Sequence, residues 1–157
     1  MIYFTTLIFT LLSHIARATP ACGDVASPHD TYDLYDNKQL VFTPYRAVFD
    51  PTYENGEGNT IGLACGSTLA SKYPKFKDIP GFPFVGGAIG ATHDSDGCGR
   101  CWVLTNQNTS MSIHFTGIDP SSGFGMGGIG FSGLGASVNA GSVEVDAIIV
   151  DPSVCGF

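Results

Sequence analysis

Cys98-Gly99-Arg100-Cys101-Trp102 is the densest cluster of reactive side chains in this sequence. A C-x-x-C is half a zinc site, a redox pair, or two cysteines with separate disulfide partners. A structural zinc site takes four ligands, typically as two close pairs. Cys22, Cys65 and Cys155 supply no second pair, and His93 and His114 lack a tight partner spacing, so no metal is expected. A thioredoxin-like motif needs a βαβ context, whereas Trp102-Val103-Leu104-Thr105 continues as a strand. Two disulfides are the remaining reading. The residues alone leave their connectivity open, with Cys22, alone in a polar N-terminal segment, as the odd cysteine. The Gly-rich run at 121–135 raises phosphate binding. It lacks a Gly-Lys-Ser/Thr ending and a preceding βαβ pattern, so neither nucleotide nor organic cofactor is expected.

The start of the chain sets the compartment. Residues 1–12 are almost all apolar or Thr, and Ala16-Arg17-Ala18 gives an A-x-A cleavage pattern. Residues 1–18 therefore read as a signal peptide, and the protein as extracellular and disulfide-permissive. The apolar run is shorter than the roughly 20 residues that a bilayer span needs. Without residues 1–18, six basic residues face fourteen acidic ones, a formal charge of −8. Phosphate backbones and anionic membranes need basic surfaces, so neither nucleic acid nor a membrane is an expected partner.

The elements follow from pattern. Residues 19–44 read as an N-terminal extension with little core of its own, and 45–157 as one domain. Residues 45–53 look like a first strand stopped by Pro51. Residues 54–59 form a loop, and 68–73 a short helix ended by Pro74. Between 79 and 87, prolines and glycines argue against ladder structure and for a packed loop. Residues 101–119 are the clearest hairpin, with Asn106-Gln107-Asn108 as its turn. Met111, Ile113 and Phe115 alternate with Ser112, His114 and Thr116, which predicts one buried and one polar face. Asn108-Thr109-Ser110 is a glycosylation sequon at the hairpin tip. In 121–135, Phe124, Phe131 and Leu134 are candidate core anchors, and the apolar segment 123–134 is also a candidate sticky patch. Residues 143–150 form the last strand, ended by Asp151-Pro152. Gly is abundant, at 21 residues, as suits a compact β protein with many tight turns.

Several ordered blocks together resemble the cerato-platanins, small secreted fungal proteins. Val48-Phe49-Asp50-Pro51-Thr52-Tyr53 resembles the family's opening block, and Leu63-Ala64-Cys65 its first cysteine block. Tyr73-Pro74 and the stretch from Ile79-Pro80-Gly81 to Val85-Gly86-Gly87 are similar to its proline and glycine elements. Cys98-Gly99-Arg100-Cys101-Trp102 matches its Cys-Gly-x-Cys-aromatic motif. Gly117-Ile118-Asp119 with Gly123-Phe124 matches its acidic element, and Val143 and Cys155 fit its close. The resemblance implies an expansin-like fold, mainly β: a six-stranded double-psi β-barrel with short helices and two disulfides, Cys65–Cys98 and Cys101–Cys155. Cys22 and the extension depart from the family pattern. So does Gly125, where the family usually has Asn before a short helix. Gly127, Gly128, Gly130 and Gly133 should weaken that helix by about 1 kcal/mol each.

The resemblance also implies a shallow polysaccharide groove built on Asp119, with Asp50 and Tyr53 flanking it. Beside it, Gly117 would let a flat sugar chain approach closely. A carboxylate at a strand end accepts hydrogen bonds from sugar hydroxyls; the alternative is an aspartate that closes its own turn before Pro120. Trp102, next to a cysteine, is expected in the core rather than under a sugar ring. Glycoside hydrolysis ordinarily needs two carboxylates flanking the bond, and the resemblance supplies one. The expected function is therefore non-enzymatic. It is binding or loosening of chitin- or cellulose-like cell-wall chains, with a host receptor as a further partner in an elicitor or virulence role. A surface-active structural protein, assembling as a film, is the alternative.

Overall fold

The computed structural model describes residues 44–157. The expected signal peptide, Cys22 and all but the last residue of the expected extension lie outside them. Six strands close into a barrel: β1 (Tyr45–Phe49), β2 (Val85–Ala88), β3 (Cys101–Asn106), β4 (Ser112–Pro120), β5 (Phe124–Met126) and β6 (Ser142–Val150). Their order around the barrel is β1-β5-β2-β4-β3-β6, with β6 returning to β1. The β1–β5 and β2–β4 pairs are parallel and the other neighbours antiparallel. This is the double-psi β-barrel, and its closure leaves no unpaired sheet edge.

The core follows strand alternation. In the β3–β4 hairpin Trp102 pairs with Phe115, and Leu104 with Ile113, and all four side chains are buried. Phe124 completes this layer, edge-on to Trp102 at 5.1 Å and to Phe115 at 5.9 Å. Such edge-to-face pairs add about 1 kcal/mol each beyond their buried area. Two residues break the expected alternation. Met111 falls outside β4 and is exposed. Thr116 is fully buried, because Gly81 and the turn at Cys155 roof the strand there; a Cβ on Gly81 would sit 3.5 Å from both Thr116 Oγ1 and the Cys155 carbonyl.

The stretch at 79–87 corrects a second expectation. Its end, Val85–Ala88, is a fully buried strand in the middle of the sheet, between β5 and β4. The glycines permit this ladder rather than break it. A Cβ on Gly86 would stand 2.0 Å from the Gly125 carbonyl oxygen, so β2 and β5 pair only without a side chain there. The first strand ends at Phe49, and residues 51–54 turn as a 3₁₀ helix rather than continuing it. The short helix expected at 68–73 forms earlier, as α1 (Gly66–Leu69). Gly66 is packed so tightly that a Cβ would meet the Ile61 carbonyl at 2.6 Å. The Leu69 carbonyl then accepts the N–H groups of Lys72 and Tyr73, which turns the chain before Pro74.

The Gly-rich run forms β5 and then α2 (Gly128–Gly133). Burial of Phe131 and Leu134 holds this helix against its poor propensity. The glycines let it lie directly on the barrel: Gly130 faces Met126 and Gly133 faces Ile113. The expected sticky patch is turned inward. Phe124, Met126, Phe131 and Leu134 are all fully buried, and Ile129 is the large apolar side chain of that segment left exposed.

Both disulfides have the pairing the resemblance implies. Cys65–Cys98 spans 33 residues and Cys101–Cys155 spans 54. Loop-closure entropy alone puts each near 4 kcal/mol. Because Cys101 pairs with Val150 in register, the second bridge ties the end of the chain to the start of β3.

The β2–β5 contact gives a sharp test by denaturant unfolding. Gly86→Ala should destabilise the barrel by roughly 2 kcal/mol or more, through overpacking against backbone. Gly62→Ala, where a Cβ meets nothing within 4 Å, should stay within about 0.5 kcal/mol of the parent.

Candidate functional site

The site lies on the flank of the barrel where β5, β2 and β4 run side by side. Asp119 is near the end of β4, in register with Gly87 of β2 after a bulge between Gly86 and Gly87. Gly86, Gly87 and Gly125 leave this part of the wall without side chains, and Tyr53 lies across it. A Cβ would come within 3.1 Å of the Tyr53 ring at Gly86, 3.3 Å of its hydroxyl at Gly87, and 3.5 Å of its ring at Gly125. Tyr53 reaches this seat from the 3₁₀ turn Pro51–Glu54 that follows β1.

Two donors hold Asp119. The Ala64 main-chain N–H donates to Oδ1 at 2.9 Å, and the Tyr53 hydroxyl donates to Oδ2 at 3.4 Å. Neither bond closes the turn before Pro120. Asp119 is thus a residue where three separated stretches of chain meet. Asp50 lies near the same tyrosine, its Cβ 3.8 Å from where a Gly125 side chain would begin. Its Oδ1 accepts the Thr52 N–H at 2.9 Å, a capping contact within its own turn.

The Tyr53 hydroxyl titrates far above the ordinary tyrosine value. Burial is the largest cause, the negative charges of Asp119 and then Asp50 come next, and the hydrogen bond to Asp119 adds to them. Tyr53 is therefore a fixed donor to Asp119 over the whole physiological range. The ring itself is almost wholly buried, so it contributes its hydroxyl to the site rather than a stacking face.

The structure brings Asp119, Tyr53 and Asp50 together and separates Gly117 from them. Gly117 is buried beneath β2, where a Cβ would collide with Ala88 Cβ at 2.6 Å. Close packing against Ala88 leaves no room for a side chain there. Trp102 lies in the core. Asn108 is exposed at the hairpin turn, with its N–H on Asn106 Oδ1. Tyr53 also lines a cleft of about 190 Å³ with Glu54, Phe82, Pro83 and residues 127–129. Among the described residues no helix is long and apolar enough to cross a membrane.

A closed double-psi barrel with two disulfides and a clamped aspartate on its flank places the protein among small disulfide-bonded barrels. The cerato-platanin family model matches residues 46–157, and the chain belongs to that family. It is 37% identical over 79 residues to cerato-platanin of Ceratocystis fimbriata f. sp. platani, over 48% of this chain and 58% of that protein. It is 32% identical over 93 residues to Allergen Asp f 15 of Aspergillus fumigatus, over 56% of this chain and 59% of that one. The chain thus spans less than two thirds of these curated relatives. In structure it is similar to cerato-platanin 2 from M. perniciosa, with a TM-score of 0.66 at 30% identity over 73% of this chain and 100% of that one. The solution structure of the fungal elicitor Cerato-Platanin gives a TM-score of 0.61 at 34% identity, over 70% and 95% of the two chains.

Sequence reasoning missed the Ala64 N–H. A main-chain donor carries no residue signature, and the block at 63–65 drew notice only for its cysteine. It also missed that Gly86 and Gly87 seat a tyrosine. The chain's tyrosines supply a direct check by ultraviolet titration. Unfolded tyrosines ionise near about pH 10. Tyr53 should be the last to ionise in the folded protein, and Tyr53→Phe should remove that final step. Because the folded value is raised, the linked stability is fully present below about pH 10 and drains as pH climbs toward the folded value. The substitution should flatten that alkaline decline.

Proposed function

We propose that this protein is a secreted, non-hydrolytic binder of cell-wall polysaccharide that associates with chitin- or cellulose-like chains. The observation that carries this reading is the geometry of Asp119. The carboxylate is half-buried on the barrel flank, aimed by a main-chain N–H and a tyrosine hydroxyl, and each oxygen keeps lone-pair capacity for a sugar hydroxyl. Asp50 adds a second carboxylate near Tyr53. Family membership supports the same reading. An elicitor role, the one named for the fungal elicitor Cerato-Platanin of the solution structure, belongs to this proposal, as does perception by a host receptor. We read the site as one of binding rather than bond cleavage, with Tyr53 a neutral donor to Asp119.

Titrating the protein with chitin and cellulose oligomers, followed by amide chemical shifts, tests the proposal. Shifts should gather at Ala64, Gly87, Asp119 and Ser121. Asp119→Ala should weaken binding about tenfold or more, the worth of a hydrogen bond to a charged group. Perturbation confined to other surfaces, or an unchanged affinity in Asp119→Ala, would exclude the groove. At the far end of the hairpin, Asn108 is proposed to carry an N-glycan. The secreted protein should lose a glycan's mass on Asn108→Gln and keep its fold.

A further inference from the structure

The N–H that aims Asp119 is itself held from outside the site. Ala64 presents its two main-chain groups in different directions: its N–H goes to Asp119, and its carbonyl accepts the Asp94 N–H at 3.3 Å. Asp94 belongs to the loop between β2 and β3, far in sequence from Asp119, Tyr53 and Asp50. Its side chain closes a second set of bonds on the same segment. One carboxylate oxygen accepts the Ser67 hydroxyl, and also the Thr68 hydroxyl at 3.3 Å. The other lies 3.0 Å from His93 Nδ1. The Cys65–Cys98 bridge then ties the residue after Ala64 to the end of the same loop.

The backbone of Asp94 shows how much this arrangement asks of the residue. Its φ is +50°, in the left-handed region that Asp and Asn tolerate and β-branched residues do not. A residue here must enter that region and also offer an acceptor to two hydroxyls. Asp and Asn meet both demands. Residues 63–69 are in turn self-braced, with the Gly66 N–H on the Leu63 carbonyl and the Leu69 N–H on the Cys65 carbonyl. Pulling on Asp94 or on Cys98 therefore moves Ala64 with its neighbours rather than bending one bond.

We infer that Asp94 is a positioning residue for the polysaccharide site. Together with the Cys65–Cys98 bridge it fixes the direction of the Ala64 N–H, and through it the orientation of the Asp119 carboxylate. This inference rests on the polysaccharide reading for its consequence, though not for its geometry. With Ala64 released, Asp119 keeps the bond from Tyr53 and regains side-chain rotation, which a ligand must then freeze at a cost in affinity.

The test compares Asp94→Asn, Asp94→Val and the mild pair Ser67→Ala with Thr68→Val, all with both disulfides intact. Two quantities are read without any sugar: hydrogen exchange of the Ala64 amide and the ¹³C shift of the Asp119 carboxyl group. Asp94→Val should speed Ala64 exchange at least tenfold and move the Asp119 carboxyl signal, while amides of β3 and β6 keep their protection. Asp94→Asn should restore both signals to near the parent values, and the hydroxyl pair should fall between. Oligosaccharide affinity should drop three- to tenfold in Asp94→Val and recover in Asp94→Asn. Should Asp94→Val unfold the chain, the hydroxyl pair decides the same question. Unchanged Ala64 exchange and Asp119 shift in that pair and in Asp94→Val would overturn the inference, as would altered signals with unaltered affinity. Absence of sugar binding by the parent protein is a different result: it removes the polysaccharide reading and leaves the sugar-free signals to decide the positioning.

Discussion

The structure turns on a contact between two backbones. At Gly86 the β2 strand comes so close to β5 that any side chain would enter the Gly125 carbonyl. Without that approach the β2–β5 pair does not form, and without that pair the barrel has two open edges. The cost is borne by glycine, which loses more conformational freedom on folding than any other residue. Two disulfides and a buried layer of Trp102, Phe115 and Phe124 offset it. The same absence of side chains has a second effect beneath Tyr53. It leaves a flat wall on which Tyr53 lies, so the residue that closes the barrel also seats the tyrosine.

From that seat the site follows with little freedom. Tyr53 reaches the wall because Pro51 stops β1 and Asp50 caps the turn that carries it. Its hydroxyl then meets Asp119, which sits where β4 shifts register against β2. The third arm comes from the segment at 63–66, pinned by a disulfide and by Asp94. Barrel closure, turn capping and covalent cross-linking converge on one carboxylate, which is why its two donors, Tyr53 and Ala64, lie so far from it in the chain.

The sequence made some of this visible and hid the rest for physical reasons. Strands with a buried and an exposed face declare themselves by alternation, so Ile113 and Phe115 marked β4 correctly. Val85–Ala88 is buried on both faces and composed half of glycine, so it has neither alternation nor β propensity to show. The helix at 128–133 was obscured in the opposite sense: its propensity is poor, and only the burial of Phe131 and Leu134 makes it form. The disulfide pairing came from the resemblance, since spacing alone permits other connectivities. At the site, Asp119 and Tyr53 were legible because side chains have names. Ala64 was not, because it acts through an amide that every residue but proline owns. Gly117 shows a related limit: a glycine in a motif shows that a side chain is forbidden, but not that the neighbour forbidding it is Ala88.

The character of the site follows from its polarity. A catalytic pair works by groups that exchange protons near neutral pH. Tyr53 is held from that role by burial and by the two neighbouring negative charges, each of which favours its neutral form. Asp119 in turn spends one acceptor direction on that hydroxyl and another on a rigid amide. The result is a set of dipoles and charges that does not change as a ligand arrives. Such fixed polarity costs little reorganisation on binding, as the proposed recognition of a hydroxyl-rich chain requires. In the proposed function, affinity depends on where the carboxylates of Asp119 and Asp50 point. In that setting the loops that aim Asp119, rather than any reactive side chain, set the outcome.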